Sequence, residues 1–316
     1  RPEKSLLHER VFFSNPLIIP FHDNAILRKI NNFIINYVVK SRIKKLNFQK
    51  PILFTSSPVV ADLIGNLNER ISVYLCLDDY TLFKGAFNSL LELENKILAK
   101  ADVVFSVSDS LLKSRVPKSG RNYFLPQGVD LNHFHYVNNL VKPKDSFKSS
   151  VIGFFGLISN WVDIDLIIKC AKTYPQYSFL IIGKAEQNID KLIQLPNLEY
   201  LGEIPYKELP AYAKIFDVGL IPFKVNDLTI AVNPIKLIEY FALGIPVLST
   251  NLPEVKKFRD LVMVANSDEE FVKFLPLAVG DNKIDRNELR ISKAKDYSWD
   301  SIAEHVSQKV DCLIKE

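Results

Sequence analysis

The sequence predicts an α/β protein built from two doubly wound domains, and three observations carry that prediction. Short β-branched runs alternate with helical patterns along the chain, the signature of parallel strands joined by crossover helices. The alternation falls into two sets separated by a polar stretch, Val137-Asn138-Asn139 through Lys142-Pro143-Lys144-Asp145 to Ser149-Ser150, that has neither hydrophobic period and reads as a linker. Finally, 316 residues suffice for two ordinary domains, each with its own buried core.

Leu17-Ile18-Ile19-Pro20 reads as the first clear strand, and residues 52–55, 71–77, 103–107 and 123–125 complete the first set. The second set comprises 151–155, 179–182, 198–201, 218–221, 247–249 and 261–264, with helical patterns between them and a final helix near 301–315. Hydrophobic residues make up 47% and charged residues 24%, which excludes a disordered chain. No apolar run is long enough to cross a bilayer. The net charge of +4 is too small to argue for nucleic acid, though it suits anionic substrates or lipid surfaces. Cys76, Cys170 and Cys312 are odd in number and widely spaced, so reduced structural cysteines and a cytoplasmic setting are expected, without a metal framework.

The stretch Asn233-Pro234-Ile235-Lys236-Leu237-Ile238-Glu239-Tyr240-Phe241-Ala242-Leu243-Gly244-Ile245-Pro246-Val247 is the most informative. Asn233 suits the cap of a short helix, Pro234 its first position, and Gly244 with Pro246 its end. Lys236 and Glu239, three apart, share one face near the helix start, where free N–H groups and the dipole attract anions. A diphosphate fits there, with Lys236 on the phosphates and Glu239 accepting hydrogen bonds from two neighbouring hydroxyls such as those of a ribose. An ordinary exposed Lys–Glu pair on a capped helix fits the same residues.

With Val218-Gly219-Leu220-Ile221-Pro222-Phe223 before it and Pro246-Val247-Leu248-Ser249-Thr250 after it, this segment resembles the nucleotide-sugar site of GT-B glycosyltransferases, particularly family 4 and its teichuronic-acid-type bacterial relatives. The resemblance extends in order through Ser106-Val107-Ser108, Leu125-Pro126-Gln127-Gly128-Val129-Asp130 with Phe134, Leu201-Gly202 with Pro205-Tyr206, and Tyr297-Ser298-Trp299-Asp300. It implies two Rossmann-like domains facing a cleft: an acceptor-side domain at 1–148 and a nucleotide-sugar domain at 149–298. Helix 299–316 then crosses back to the first domain. Members normally begin with a further strand, a glycine-rich loop and a helix, a portion that looks missing ahead of Arg1. The activity implied is transfer of a sugar from a UDP- or GDP-type donor to a saccharide or lipid-linked acceptor, with no cofactor and no metal. Asn233, Pro234, Ile235, Lys236 and Glu239 would hold the donor, with Gly156, Lys184 and the backbone of Gly202, Glu203 and Ile204. Two departures matter. Ser159-Asn160-Trp161 stands where members commonly carry Arg or Lys, which shifts the diphosphate's charge onto Lys236 and Lys184. Ala231 replaces a glutamate eight positions before Glu239, so neither retention nor the sugar preference carries over; Asn226, Asp227 and Thr229 are the nearby polar substitutes.

Asp78 and Asp79 follow an apolar strand and lie where a ligand cleft opens in an open sheet. Either can serve as the base that deprotonates an acceptor hydroxyl, Asp79 being preferred, although a turn or helix cap uses the same residues. Asp163 and Asp165 enter a helix and read as caps rather than metal ligands. His133 and His135 read as surface residues, and His22 as a loop residue within reach of acceptor. Residues 26–46 mix apolar positions with Arg28, Lys29, Lys40, Arg42, Lys44 and Lys45, a pattern that suits either core packing or an anionic membrane surface.

Overall fold

In the computed structural model the described residues are 3–4, 11–21, 23–135 and 150–315, so the linker stretch 137–149 and His22 lie outside them. The chain divides into two compact units. One runs to Leu125 and includes the residues from Ser307 on; the other is Pro126–Val306. This division precedes the linker-based boundary at 148/149 for a local reason. Val129 N donates to Tyr297 O at 2.8 Å and Trp299 N to Val129 O at 3.1 Å, while Phe134 is fully buried against Phe155. These contacts tie residues 126–135 to the second unit.

The first unit holds a four-stranded sheet of β1 (Ile52–Thr55), β2 (Ile71–Cys76), β3 (Val103–Ser106) and β4 (Asn122–Phe124), parallel throughout and in that spatial order. Strand β2 is buried along nearly its whole length, as a parallel strand covered on both faces must be. Helix α1 (Ala25–Lys45) starts where Asn24 accepts hydrogen bonds from Ile26 N and Leu27 N, and carries Arg42, Lys44 and Lys45 in its last turn, where the dipole favours cations. Helices α2 (Leu90–Lys100) and α3 (Asp109–Ser114) follow β2 and β3. Residues 17–20 do not form the expected strand. The Asn31 side chain instead donates to Ile19 O and accepts from Ile19 N, both at 2.8 Å, so an amide on α1 takes the place of a strand partner.

The second unit begins with the short α4 (Leu131–His135) and carries six parallel strands: β5 (Val151–Phe155), β6 (Ser178–Ile182), β7 (Leu198–Tyr200), β8 (Val218–Ile221), β9 (Val247–Thr250) and β10 (Val262–Ala265). Their order is β10-β9-β8-β5-β6-β7, so strand order reverses between β5 and β8. That is the doubly wound arrangement, with its switch point at the β5–β8 seam. Strands β5, β6 and β8 are buried at every position. Asp163 caps α5 (Ile164–Thr173) by accepting from Leu166 N at 3.0 Å, as the sequence leads one to expect. Helix α6 (Ile235–Ala242) leads into β9, and α7 (Trp299–Lys315) ends the chain, passing from residues of the second unit to residues of the first. Cys76 and Cys170 are buried and Cys312 is exposed, all three as free thiols. Among the described residues no helix is long and apolar enough to cross a membrane.

Candidate functional site

Helix α6 is apolar almost all round, and Leu237, Ile238, Tyr240, Phe241 and Ala242 are buried. The larger of these side chains, Leu237, Ile238 and Phe241, each contribute on the order of 1.5–3 kcal/mol by leaving water, which seats the helix firmly in the second unit. Tyr240 packs on Phe155 with ring centroids 4.8 Å apart and donates its hydroxyl to Leu220 O at 3.3 Å. Burial of these neighbours carries Lys236 and Glu239 inward with them. Pro234, rather than Asn233, occupies the cap position, with φ −70° and ψ 108°, and the helix proper starts at Ile235. Pro234 O accepts from Leu237 N at 3.0 Å, and no side chain caps the helix start. A proline's fixed φ suits an extended cap residue as well as a first helical one, which is why the sequence places the cap one residue early.

The Lys236 ammonium sits at the switch point. Its Nζ lies 5.5 Å from the ring centroid of Phe154 on β5 and 5.5 Å from that of Phe223, just past β8. It also rests on Gly156, which has φ +124°: a Cβ there would stand 2.4 Å from Lys236 Cε and 2.5 Å from Nζ. Gly183, with φ +134°, is required beside it, since a Cβ would meet Gly156 O at 2.0 Å. Neither Lys236 Nζ nor the Glu239 carboxylate enters a hydrogen bond or ion pair among the described residues. Desolvation lowers the Lys236 pKa, with Glu239 opposing. Burial pushes Glu239, 7% exposed, up to about 7, with Lys236 opposing. Two desolvated groups of opposite charge therefore stand one helical turn apart without internal partners, an expensive arrangement that a ligand supplying both kinds of partner relieves.

The remaining donor-site candidates follow the neighbouring strands β6 and β7. Lys184 follows β6 and is exposed, its carbonyl accepting from Ile158 N at 2.9 Å. Gly202, φ +69°, gives its carbonyl to Gly183 N at 2.7 Å, and Glu203 and Ile204 continue that loop with Glu203 exposed. Ala231 is buried, and the nearby polar residues are engaged locally: Asn226 and Thr229 form a reciprocal capping box at the four-residue helix Asp227–Ile230, and Thr229 Oγ1 donates to Lys224 O at 2.6 Å.

One group escaped the sequence reading. His133 is half-buried rather than a plain surface residue; its ring stacks on Tyr206 at 4.3 Å and its Nε2 pairs with Tyr206 O at 2.9 Å. Phe134 meets the Tyr206 ring edge to face, and the Tyr206 hydroxyl is pushed up to about 12 by burial and by the negative charges of Glu239 and Asp130. The motifs containing Phe134 and Pro205-Tyr206 were visible in sequence, but the meeting of His133 with Tyr206 across 73 residues was not. The His135 side chain lies outside the described residues.

In the first unit the two acids after β2 separate. Asp79 accepts from Arg115 Nη2 at 2.6 Å and from Thr81 N and Oγ1 at 3.2 and 2.5 Å, capping the turn Tyr80–Leu82. Arg115 also donates from Nε to buried Glu94 at 2.9 Å, and Glu94 accepts from the Tyr74 hydroxyl at 2.8 Å. Asp78 enters no hydrogen bond or ion pair among the described residues, and burial, then Asp79, raises it to about 6. The preferred acid of the sequence reading is thus held in a structural network, and its neighbour carries the raised pKa.

Residues 139–272 match the family model described as glycosyl transferases group 1. A Bacillus subtilis (strain 168) protein named as a teichuronic acid biosynthesis glycosyltransferase, TuaH, is 33% identical over 178 residues, which are 52% of this chain and 44% of that protein. The chain thus spans less than half the length of that curated relative. Sucrose-phosphate synthase from Thermosynechococcus elongatus superposes over 90% of this chain and 79% of its own, with a TM-score of 0.71 and 17% identity. Anabaena HepE in complex with UDP-glucose does so over 90% and 84%, with a TM-score of 0.67 and 14% identity. Together with the two parallel-sheet units, these matches show that the chain has the Rossmann-like architecture of GT-B glycosyltransferases, and residues 139–272 are similar to glycosyl transferases group 1.

Proposed function

We propose that the protein is a glycosyltransferase that moves a sugar from a nucleotide-diphosphate donor to a hydroxyl of a surface polysaccharide or glycolipid. The observation that carries this reading is the unpartnered Lys236–Glu239 pair at the β5–β8 switch point. The diphosphate lies at the start of α6, where uncapped N–H groups and the Lys236 ammonium meet its charge. Gly156 leaves room for the Lys236 side chain that meets it, Lys184 adds a second cation at the rim, and Asn233, Pro234 and Ile235 shape the approach. Glu239 accepts from the ribose hydroxyls, and the base rests against the backbone of Gly202, Glu203 and Ile204. As the bond between the sugar and the β-phosphate oxygen breaks, negative charge grows on the diphosphate, and Lys236 with the helix start offsets it without a protein-held metal. The acceptor hydroxyl loses its proton to a carboxylate of the first unit; Asp78, free of internal partners, suits that role better than Asp79.

The test is calorimetric titration of UDP, GDP and their common sugars into wild type, Lys236→Ala and Glu239→Ala at fixed salt. Selective binding weakened about 100-fold by the first change and about tenfold by the second is expected, since hydrogen bonds to charged groups are each worth roughly 1.5–3 kcal/mol. Absence of nucleotide binding in the wild type would overturn the donor site. Product analysis then separates transfer to an acceptor from hydrolysis or epimerisation of the donor, and binding without turnover would point to a nucleotide-sugar-binding scaffold.

An anionic membrane surface is the second proposed partner, favoured by α1. Ile26, Ile30, Phe33 and Tyr37 are 71, 42, 73 and 68% exposed at helical spacing, on a helix that also carries Lys29, Lys40, Arg42, Lys44 and Lys45. Such a surface would hold the protein peripherally on the cytoplasmic face, near a lipid-linked acceptor. Retention on anionic but not neutral liposomes, lost on charge reversal of Lys40, Arg42, Lys44 and Lys45, is the expected result. Equal behaviour on both liposomes excludes the electrostatic part.

A further inference from the structure

The first unit carries an open pocket of about 360 Å³ beyond the carboxyl ends of β1 and β2. Ser56 and Ser57 line it from the β1 side; Tyr80, Phe83 and Phe87 supply an aromatic wall from the segment after Asp78-Asp79. The Tyr80 and Phe83 rings stand 6.4 Å apart and 31° from parallel, so together they present a nearly continuous, slightly folded face. Both rings are half-buried and therefore held in place, yet part of each remains open to the pocket's contents. Among the described residues Lys84 is the one charged side chain in the lining, and it is exposed. No carboxylate among the described residues lines the pocket to neutralise it.

These features select a ligand class. A volume of this size is that of a small-ligand site holding one or two sugar rings rather than a polymer groove. Aromatic faces carry negative π-density that attracts the weakly positive C–H groups of a pyranose face, and adjacent hydroxyls find hydrogen-bond partners in Ser56 and Ser57. A lone ammonium at the rim of an otherwise uncharged pocket favours a carboxylate or phosphate on that sugar. We propose that this pocket binds the acceptor as a pyranose ring bearing an acidic substituent, stacked on Tyr80 and Phe83 and paired with Lys84. The inference rests on the glycosyltransferase reading above for the word acceptor; the pocket's preference for an acidic sugar stands apart from it and can be measured separately.

The experiment uses the full chain and two matched probes, methyl glucuronide and its uncharged counterpart methyl glucoside, observed by saturation-transfer NMR with UDP and GDP titrated calorimetrically into the same samples. The expected result is saturation transfer to both sugars with the glucuronide bound at least fivefold more tightly. Lys84→Gln should bring the two affinities within about twofold of each other while leaving nucleotide affinity unchanged; at an exposed position it does not threaten folding. Phe83→Ala should weaken both sugars about tenfold, in line with the worth of an aromatic contact. Transfer to neither sugar, in protein that still binds nucleotide, overturns the pocket and leaves the donor site standing. An equal response to both sugars, or a preference that survives Lys84→Gln, overturns the acidic class. Sugar binding as expected in protein that binds no nucleotide sustains the pocket and sinks the donor site instead.

Discussion

The Lys236–Glu239 pair of the second unit and the Arg115–Asp79–Glu94 cluster of the first use the same chemistry at the same kind of place, beyond or beside the carboxyl ends of parallel strands, and resolve it in opposite ways. In the first-unit cluster each charge has a partner. Arg115 bridges Asp79 and Glu94, and Tyr74 completes Glu94. In the second, Lys236 faces two aromatic rings and Glu239 is buried with its pKa raised, without a hydrogen bond between them. A buried charge that is paired reports on folding; one left unpaired leaves the folded state holding a desolvation cost that a ligand can remove. The contrast separates a structural network from a candidate site on physical grounds alone.

Breaking the paired side should give the largest effect. Arg115→Met strands Glu94, 1% exposed, and deprives Asp79 of its partner. Removing one member of such a pair costs about 3–5 kcal/mol. Thermal unfolding should show the loss, while Arg115→Lys, which keeps one charge contact, should lose about half as much. If Arg115→Met unfolds like the wild type, the cluster is not structural and Asp79 returns as a candidate base.

The two acids after β2 sharpen the comparison within one turn of chain. Asp78→Asn should lower sugar transfer about 100-fold, the lower end of what a positioned base contributes, and should raise rather than lower stability above pH 6, because it removes a desolvated, unpaired carboxylate. Its pKa near 6 predicts a rate profile that rises with pH through about 6 as the carboxylate ionises, and Asp78→Asn should flatten that limb. Asp79→Asn should do the reverse, costing stability through Arg115 and the turn cap with the pH limb intact.

On the unpaired side the sign of the stability change inverts. Because Glu239 titrates near 7 in the folded chain against an ordinary value of 4.5, the folded protein keeps a proton that the unfolded chain releases in that interval. Stability therefore falls as pH rises from about 4.5 to 7, and the full penalty persists above it. Glu239→Gln removes the penalty, so at pH 8 the unliganded variant should be more stable by about 3 kcal/mol, and at pH 4 the two should be equal. Nucleotide affinity should fall about tenfold in the same variant at pH 8. Raised stability together with weakened binding is the signature of a group kept for a ligand; a variant less stable than wild type at pH 8 would mean that Glu239 has an internal partner after all.

Much of this was legible in sequence where interactions are local. The strands at 52–55, 151–155 and 218–221 were readable residue for residue, because short continuous apolar runs bounded by turn residues mark parallel strands, and the latter two are buried at every position. Lys236 and Glu239 were visible because their helical spacing fixes their relation. Errors cluster where a distant group decides. Residues 17–20 look like a strand until Asn31 pairs with Ile19 through its side chain. Asp78 and Asp79 look alike in sequence, and only the fold shows that Arg115, 36 residues past Asp79, pairs with Asp79 and not with its neighbour. His133 looks like a surface residue until Tyr206 stacks beneath it. None of these partners leaves a periodic trace, so the sequence names the residues and only the fold pairs them.

The smallest expected effect tests how far the unpaired side extends. Lys184 follows β6 as Lys236 follows the cap at Pro234, and both are cations within the ring of strand ends, but Lys184 is exposed. A solvated ammonium gains little from meeting a phosphate, because water already satisfies it and salt screens it. Lys184→Ala should therefore weaken UDP or GDP binding by less than about threefold at 150 mM salt and by more at 20 mM. Lys236→Ala should cost about 100-fold at both, since a desolvated cation is screened far less. A loss from Lys184→Ala as large and as insensitive to salt as that from Lys236→Ala would show that the ligand buries both cations, and would move the diphosphate from the start of α6 toward the end of β6.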